Sequence, residues 1–339
     1  MEPVAHPRVT RLEIAQRPAA AMLLGVATLG LVACATGRQA RRLDSQARRP
    51  PHEQRNASQP ARRLHAAAAL LGLSVLADSA IEHWRGSYKN PGMFAPLLSA
   101  LMTIVAGASE ASRSTASVQD RPIYGGAYVT AVASGIAGTG FHVYNLMRRP
   151  GGWSWMNLFY AAPLGAPAAL SLSGLLGMAA QHLAAQPRSG QPRLLGFPAG
   201  RALAALTSVG IGGTVGEAAL LHFRGAFQNP FMWLPVSVPP LASLLMARAA
   251  LGAQQRAYGS VRMLLNVTAG LGIAGVGFHC YGVSRQMGGW HNARQNLLSG
   301  PPLPAPPAFL ALALAGGAAL SLLETKKKPK AKGCAEDDR

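Results

Sequence analysis

Charge is what this 339-residue chain has least of. Only 13% of its residues are Asp, Glu, Lys or Arg, against about 25% in ordinary soluble domains. Cysteine is nearly absent. Cys34, Cys280 and Cys334 form no CxxC pair, which excludes a disulfide framework and a zinc knuckle. The chain has no phosphate-binding loop, zinc-protease motif or nucleophile elbow. Its glycine-rich stretches follow no strand of the kind a dinucleotide site needs. Aromatics make up only 6% and are not interleaved with basic residues. The formal charge of +19 therefore does not describe a nucleic-acid surface, and no nucleic-acid partner is expected.

Apolar runs fill the space that charge leaves. Nine lie near 19–36, 66–84, 93–109, 126–147, 159–183, 199–222, 231–250, 261–283 and 304–323, most of them close to the ~20 residues that cross a bilayer core. The mean hydropathy is only +0.17, because polar ends dilute it and the Ala and Gly of the spans score weakly. A large soluble bundle is the competing reading; the regular recurrence of charge-free runs opposes it. Leu31-Val32-Ala33-Cys34 resembles a lipoprotein cleavage site. The basic stretch just after it opposes export, so an ordinary first membrane helix is expected.

The basic residues select an orientation. Of the 32 Lys and Arg, 22 fall in 37–63, 110–125, 185–201, 248–262 and the C-terminal tail. By the positive-inside rule that side is cytoplasmic, which puts the N-terminus outside. A multi-pass protein of a bacterial inner membrane is expected, with the bilayer as its first partner.

Most of the chain is written twice. His83-Trp84-Arg85-Gly86, Asn90-Pro91, Met93 and Pro96 return as His222-Phe223-Arg224-Gly225, Asn229-Pro230, Met232 and Pro235, at a constant offset of 139. Gly135-Ile136-Ala137-Gly138, Gly140-Phe141-His142 and Tyr144 return as Gly272-Ile273-Ala274-Gly275, Gly277-Phe278-His279 and Tyr281, at an offset of 137. Gly151-Gly152-Trp153, Asn157-Leu158, Pro163 and Pro167 return as Gly288-Gly289-Trp290, Asn296-Leu297, Pro302 and Pro306. The fold expected is all-α and polytopic, with two parallel four-helix repeats and one N-terminal helix. Its divisions are 1–63 (tail, first helix and basic linker), 64–185 (first repeat), 198–323 (second repeat) and 324–339 (basic tail). Four spans per repeat is an even number, so both copies enter the membrane in the same direction.

His83, His142, His222 and His279 then lie at one depth near the outer face, and they are the leading candidates. An ionisable residue within a span is costly and functional by default. The competing reading is that each imidazole clasps a loop at a helix end. His65, His182 and His291 have no counterpart in the other copy, and His6 and His52 lie in the tails. The glycines before His142 and His279 admit either a packed helix or a flat porphyrin. Arg85 and Arg224 suit haem propionates, or else snorkel to lipid phosphate. Asp78 and Glu217 are the only matched carboxylates; with the four histidines they would make a two-metal ligand set, or they rest protonated in the bundle. Glu82 is unmatched, since Leu221 replaces it. Asn90-Pro91 and Asn229-Pro230 read as helix starts. The five tryptophans fall at outer ends, as an interfacial belt requires.

Three functions fit these residues. The first is an electron-transfer component that binds b-type haem or a transition metal through His83, His142, His222 and His279, and meets a membrane or periplasmic redox partner. The second is a small-solute permease or channel with acids and histidines in its path. The third is a non-catalytic membrane scaffold.

Overall fold

A computed structural model of the chain describes residues 59–112, 122–186, 191–252 and 258–324. The expected first helix at 19–36, Cys34 and most of the Lys-rich tail lie outside the described residues.

The described residues are all-α apart from one hairpin of two two-residue strands. Helix α1 spans Gln59–Arg85, α2 Ala95–Ser112, α3 Pro122–Met147, α4 Trp155–Tyr160 and α5 Gly165–Ala185. Strands β1 (Arg193–Leu194) and β2 (Phe197–Pro198) pair antiparallel and lead into α6, Ala199–Arg224. Then come α7 (Leu234–Ala250), α8 (Gly259–Ser284), α9 (Ala293–Ser299) and α10 (Pro307–Glu324). Among the described residues seven helices are long and apolar enough to cross a membrane: α1, α2, α5, α6, α7, α8 and α10, with α2 and α7 counted from their leading 3-10 turns. The protein is thus multi-pass. Helix α3 is as long as these, but Tyr, Thr, Ser and Gly dilute its hydropathy.

Sequence positions in the two copies make corresponding contacts. Helix α1 packs on α2 and α5, and α3 packs on α2 and α5. Helix α6 packs on α7 and α10, and α8 packs on α7 and α10. The halves join along α1 and α10, whose burial exceeds that of any other span. The opposite seam, α5 against α6, is slight. Small residues allow this close packing. A Cβ on Gly135 would lie 2.5 Å from the Pro167 carbonyl oxygen, and one on Gly272 would lie 2.9 Å from that of Pro306. The dense glycines therefore serve helix approach, α5 onto α3 and α10 onto α8. Gly140 and Gly277 face open space.

The apolar run at 159–183 is two elements rather than one. Helix α4 stops at Tyr160, Ala161 is extended, and Pro163 leads into α5. Trp155, Met156 and Tyr160 of α4 are exposed while Asn157 is buried, which is the amphipathic pattern of a helix lying on a membrane surface. Trp84, Trp153, Trp155, Trp233 and Trp290 are all exposed, at the bundle end where α1, α3, α6 and α8 finish, as a belt requires.

Candidate functional site

The four matched histidines stand in the last turns of α1, α3, α6 and α8. Each is half-buried, and each turns its Nδ1 toward a backbone carbonyl. His83 Nδ1 lies 2.7 Å from the Met93 oxygen, and His222 Nδ1 lies 2.8 Å from that of Met232. His142 Nδ1 lies 2.5 Å from the Pro163 oxygen, and His279 Nδ1 lies 2.7 Å from that of Pro302. A carbonyl only accepts, so Nδ1 carries the proton and donates it. In the neutral ring Nε2 is then left with its lone pair.

A strained turn delivers the carbonyl to His83 and to His222. After α1 the chain passes through Ser87 at φ 57° and Tyr88 at φ 47°, and after α6 through Ala226 at φ 56° and Phe227 at φ 46°. None of the four is glycine. Left-handed residues with a Cβ cost of order 1 kcal/mol or more each, so the surroundings must hold them. Tyr88 stacks on Phe94 at 4.8 Å between ring centres, and Phe227 stacks on Trp233 at 4.1 Å. Asn90 and Asn229 cap the 3-10 turns that follow, accepting from the N–H groups of Gly92 and Phe231. The prolines behind them sit at the first positions of these turns, as their spacing predicts.

The histidines fall into two pairs, one in each half. His83 lies within direct electrostatic range of His142, and His222 within that of His279. His142 shares a helix face with Gly135 and Gly138, seven and four residues before it, and this is the face that packs on α5.

Arg85 and Arg224 reach across to the other half. Arg85 donates to the Leu298 carbonyl in α9, and Arg224 donates to the Phe159 carbonyl in α4 at 3.2 Å. Leu298 and Phe159 are themselves 139 positions apart, so the two bonds are reciprocal. Each guanidinium meets the C-terminal end of a short helix, where free carbonyls favour a cation. Arg85 also pairs with Glu82 at 3.0 Å, and the Arg224 guanidinium lies over the Tyr160 ring at 5.6 Å. Sequence reading gave Glu82 no role and saw no clasp between the halves. The equal offsets of Arg and carbonyl are visible only once the helices are placed.

The acids likewise meet across the halves. The Glu217 carboxylate accepts from the backbone N–H of Gly165, at the start of α5. Asp78 lies within electrostatic range of Glu217, Glu82 and Arg85. The position matching Gly165 is Pro304, which has no N–H to offer Asp78. Ser74, one turn before Asp78, instead donates to the Pro304 carbonyl at 2.5 Å. Among the described residues no three His, Cys, Asp or Glu side chains converge on a point that a metal ion could fill. The six-residue metal set expected from sequence is therefore not assembled. The structure brings together two histidine pairs and a separate acid group.

No protein-family model, curated protein or solved structure matches this chain.

Proposed function

We propose that this multi-pass membrane protein is an electron-transfer component that binds b-type haem, one between His83 and His142 and one between His222 and His279. The observation that carries this reading is the shared tautomer. Four imidazoles donate from Nδ1 to carbonyls and keep Nε2 for a ligand. That is how iron- and zinc-ligating histidines are oriented, and the carbonyl makes Nε2 more basic. Ser, Asn or Trp could also donate to a loop carbonyl. Histidine at all four positions calls for the second nitrogen. Trp84 and Tyr88 nearby, by contrast, became Phe223 and Phe227 in the other copy.

Held by His83 and His142, and by His222 and His279, such a group would supply one-electron transfer. This chain's residues would fix the rings, exclude water and set the local charge. Arg85 and Arg224 stand exposed at the same end, with donors left for propionates. A redox partner would dock on that outer face. The test is a reduced-minus-oxidised spectrum of protein purified from haem-replete cells, with iron analysis. We expect a low-spin b-type spectrum with two haems per chain. His142→Ala should remove one and His279→Ala the other. A colourless preparation without iron would overturn the reading.

One observation favours a second reading. Asp78, Glu82 and Glu217 meet between the halves, as acids lining a transport path would. Proton-coupled solute uptake into proteoliposomes, lost in Asp78→Asn and retained in the histidine variants, would select it.

A further inference from the structure

One side of α6 carries almost no side chain. From 199 to 223 its exposed residues are Ala205, Val209, Gly212, Gly213, Gly216 and Phe223. With 3.6 residues per turn, all six fall within one sector of about 100°. The sector lies between Ser208, which meets α7, and Gly210 and Glu217, which meet α5. Between Val209 and Leu220, about 16 Å of helix, it holds three glycines and nothing else. A Cβ on Gly213 or Gly216 would meet nothing within 4 Å, and one on Gly212 only the Ser243 hydroxyl at 3.5 Å. Other spans turn bulky residues outward, such as Leu98 and Leu101 on α2, Leu241 and Leu244 on α7, and Met263 and Ile273 on α8.

The matching face of α1 is built differently. The offset of 139 carries Gly212, Gly213 and Gly216 to Leu73, Ser74 and Ala77. Ser74 is buried and donates to the Pro304 carbonyl beside α10, and α10 packs along α1 far more than α5 packs along α6. The surface helices beside the two faces differ as well. Phe223 stacks on Phe159 of α4 with 5.4 Å between ring centres, and Phe159 stacks on Trp155 at 6.1 Å. Helix α4 exposes Trp155, Met156 and Tyr160, whereas at the same offset α9 exposes Arg294, Gln295 and Ser299. Their covered positions keep one character. Asn157, Leu158 and Phe159 answer Asn296, Leu297 and Leu298.

Lipid does not account for the difference. Helices α1, α3, α6 and α8 finish at one end of the bundle, so both halves cross the bilayer in the same direction and meet the same lipid at each depth. A face that differs between them answers something present once. Glycine on a membrane helix lets another helix approach closely. The chain holds an element of this kind. The apolar run at 19–36 has no counterpart in either repeat and no Asp, Glu, Lys or Arg, and it brings Leu23, Leu24, Leu29 and Leu31 as side chains for the trough. The 22 residues 37–58 join it to α1. They reach at most about 75 Å, which is several helix diameters. A second copy fits less well. Set face to face at one depth, it would bring Arg149 and Arg224, both beside Tyr160, against their own equivalents.

We propose that the apolar segment 19–36 packs across the membrane on the face of α6 formed by Val209, Gly212, Gly213 and Gly216, with its outer end beside Trp155, Phe159 and Phe223. The segment runs from outside to inside and α6 from inside to outside, so the two are antiparallel. Its leucines enter the space that the glycines leave, and its backbone comes as near to α6 as small residues allow. Attachment favours it over any free partner, because a segment on the same chain binds at a high effective concentration.

The experiment is disulfide cross-linking of the full chain in its membrane, with Cys34, Cys280 and Cys334 replaced by alanine and a protease site placed within 37–58. Gly213→Cys is paired in turn with a cysteine at each position from 20 to 31. A Cβ at Gly213 has open space, so this substitution displaces no described residue. After oxidation and cutting of the linker, the N-terminal fragment should stay joined to the rest of the chain until reductant is added. The positions that cross-link should recur every three or four residues. Gly216→Leu should lower the yield at least fivefold, and Leu73→Cys on α1 should give no cross-link. Joining of two chains through Gly213→Cys alone would overturn the proposal in favour of a dimer. Failure at every position would overturn it in favour of lipid, and so would a mature protein from which 19–36 has been removed.

Discussion

At the scale of single residues, the two copies test each other. Asn157 and Asn296 are buried and each donates Nδ2 to two carbonyls, at 3.1 and 2.7 Å in both cases. The acceptors are Pro150 and Gly152 in one copy and Met287 and Gly289 in the other. They close the loops that follow α3 and α8. Asn157→Ala removes both donors and strands two acceptors, which costs about 1–3 kcal/mol. Asn157→Asp should cost more, because a carboxylate would face those oxygens. Thermal unfolding in detergent checks the order, and a neutral Asn157→Asp would contradict it. Glu217 and Asp78 are matched in sequence but differ in partner. Glu217→Gln keeps an acceptor for the Gly165 N–H and should leave stability unchanged. Gly165→Ala should displace the carboxylate, because a Cβ there would occupy its place. A Gly165→Ala protein as stable as wild type would show that this cap contributes nothing.

At the scale of elements, glycine separates packing from ligand binding. Gly135 and Gly272 hold α5 and α10 against α3 and α8, whereas Gly140 and Gly277 meet nothing within 4 Å. Gly135→Ala should therefore loosen the α3–α5 contact and lower the melting temperature by several degrees. Gly140→Ala should be neutral or slightly stabilising, since alanine favours helix. If a ring lies against Gly140, the second substitution would instead lower cofactor content at unchanged stability, and the pair of variants distinguishes these outcomes. Charge-free length marks the helices, and Asn-Pro marks the turns that open α2 and α7. The break at Ala161–Leu164 has no mark in the sequence, because an apolar run carries no signal of where it turns from the membrane surface into the core. Periodicity shows which face of a helix is apolar but not which neighbour covers it. The glycines in sequence thus fit packing or porphyrin alike, and Pro167 and Pro306 lie against Gly135 and Gly272 as packing partners. The histidines were found because both copies keep them. His65 carries no such signal, because the matching position is Ala204.

At the scale of the whole molecule, orientation and fold make separable predictions. Helix α10 starts beside His279 and runs to Glu324, whose carboxylate pairs with Arg262 at the start of α8 at 2.9 Å. Arg63, near the start of α1, donates to the Ser321 hydroxyl at 3.2 Å. The end of α10 therefore lies with the starts of α1 and α8, across the bundle from the histidines. The Lys-rich residues that follow Glu324 belong to the side where 22 of 32 basic residues fall, and positive charge is retained on the cytoplasmic side. A reporter fused after Arg339 should be active in the cytoplasm, and a cysteine placed at exposed Ser87 should react with an impermeant thiol reagent from outside. Reversal of both results would invert the protein in the bilayer and carry the histidines to the inner face, with the fold intact. If the two sites answer from the same side, α10 does not span as placed. The arrangement of the halves would then have to be redrawn, whatever the histidines bind.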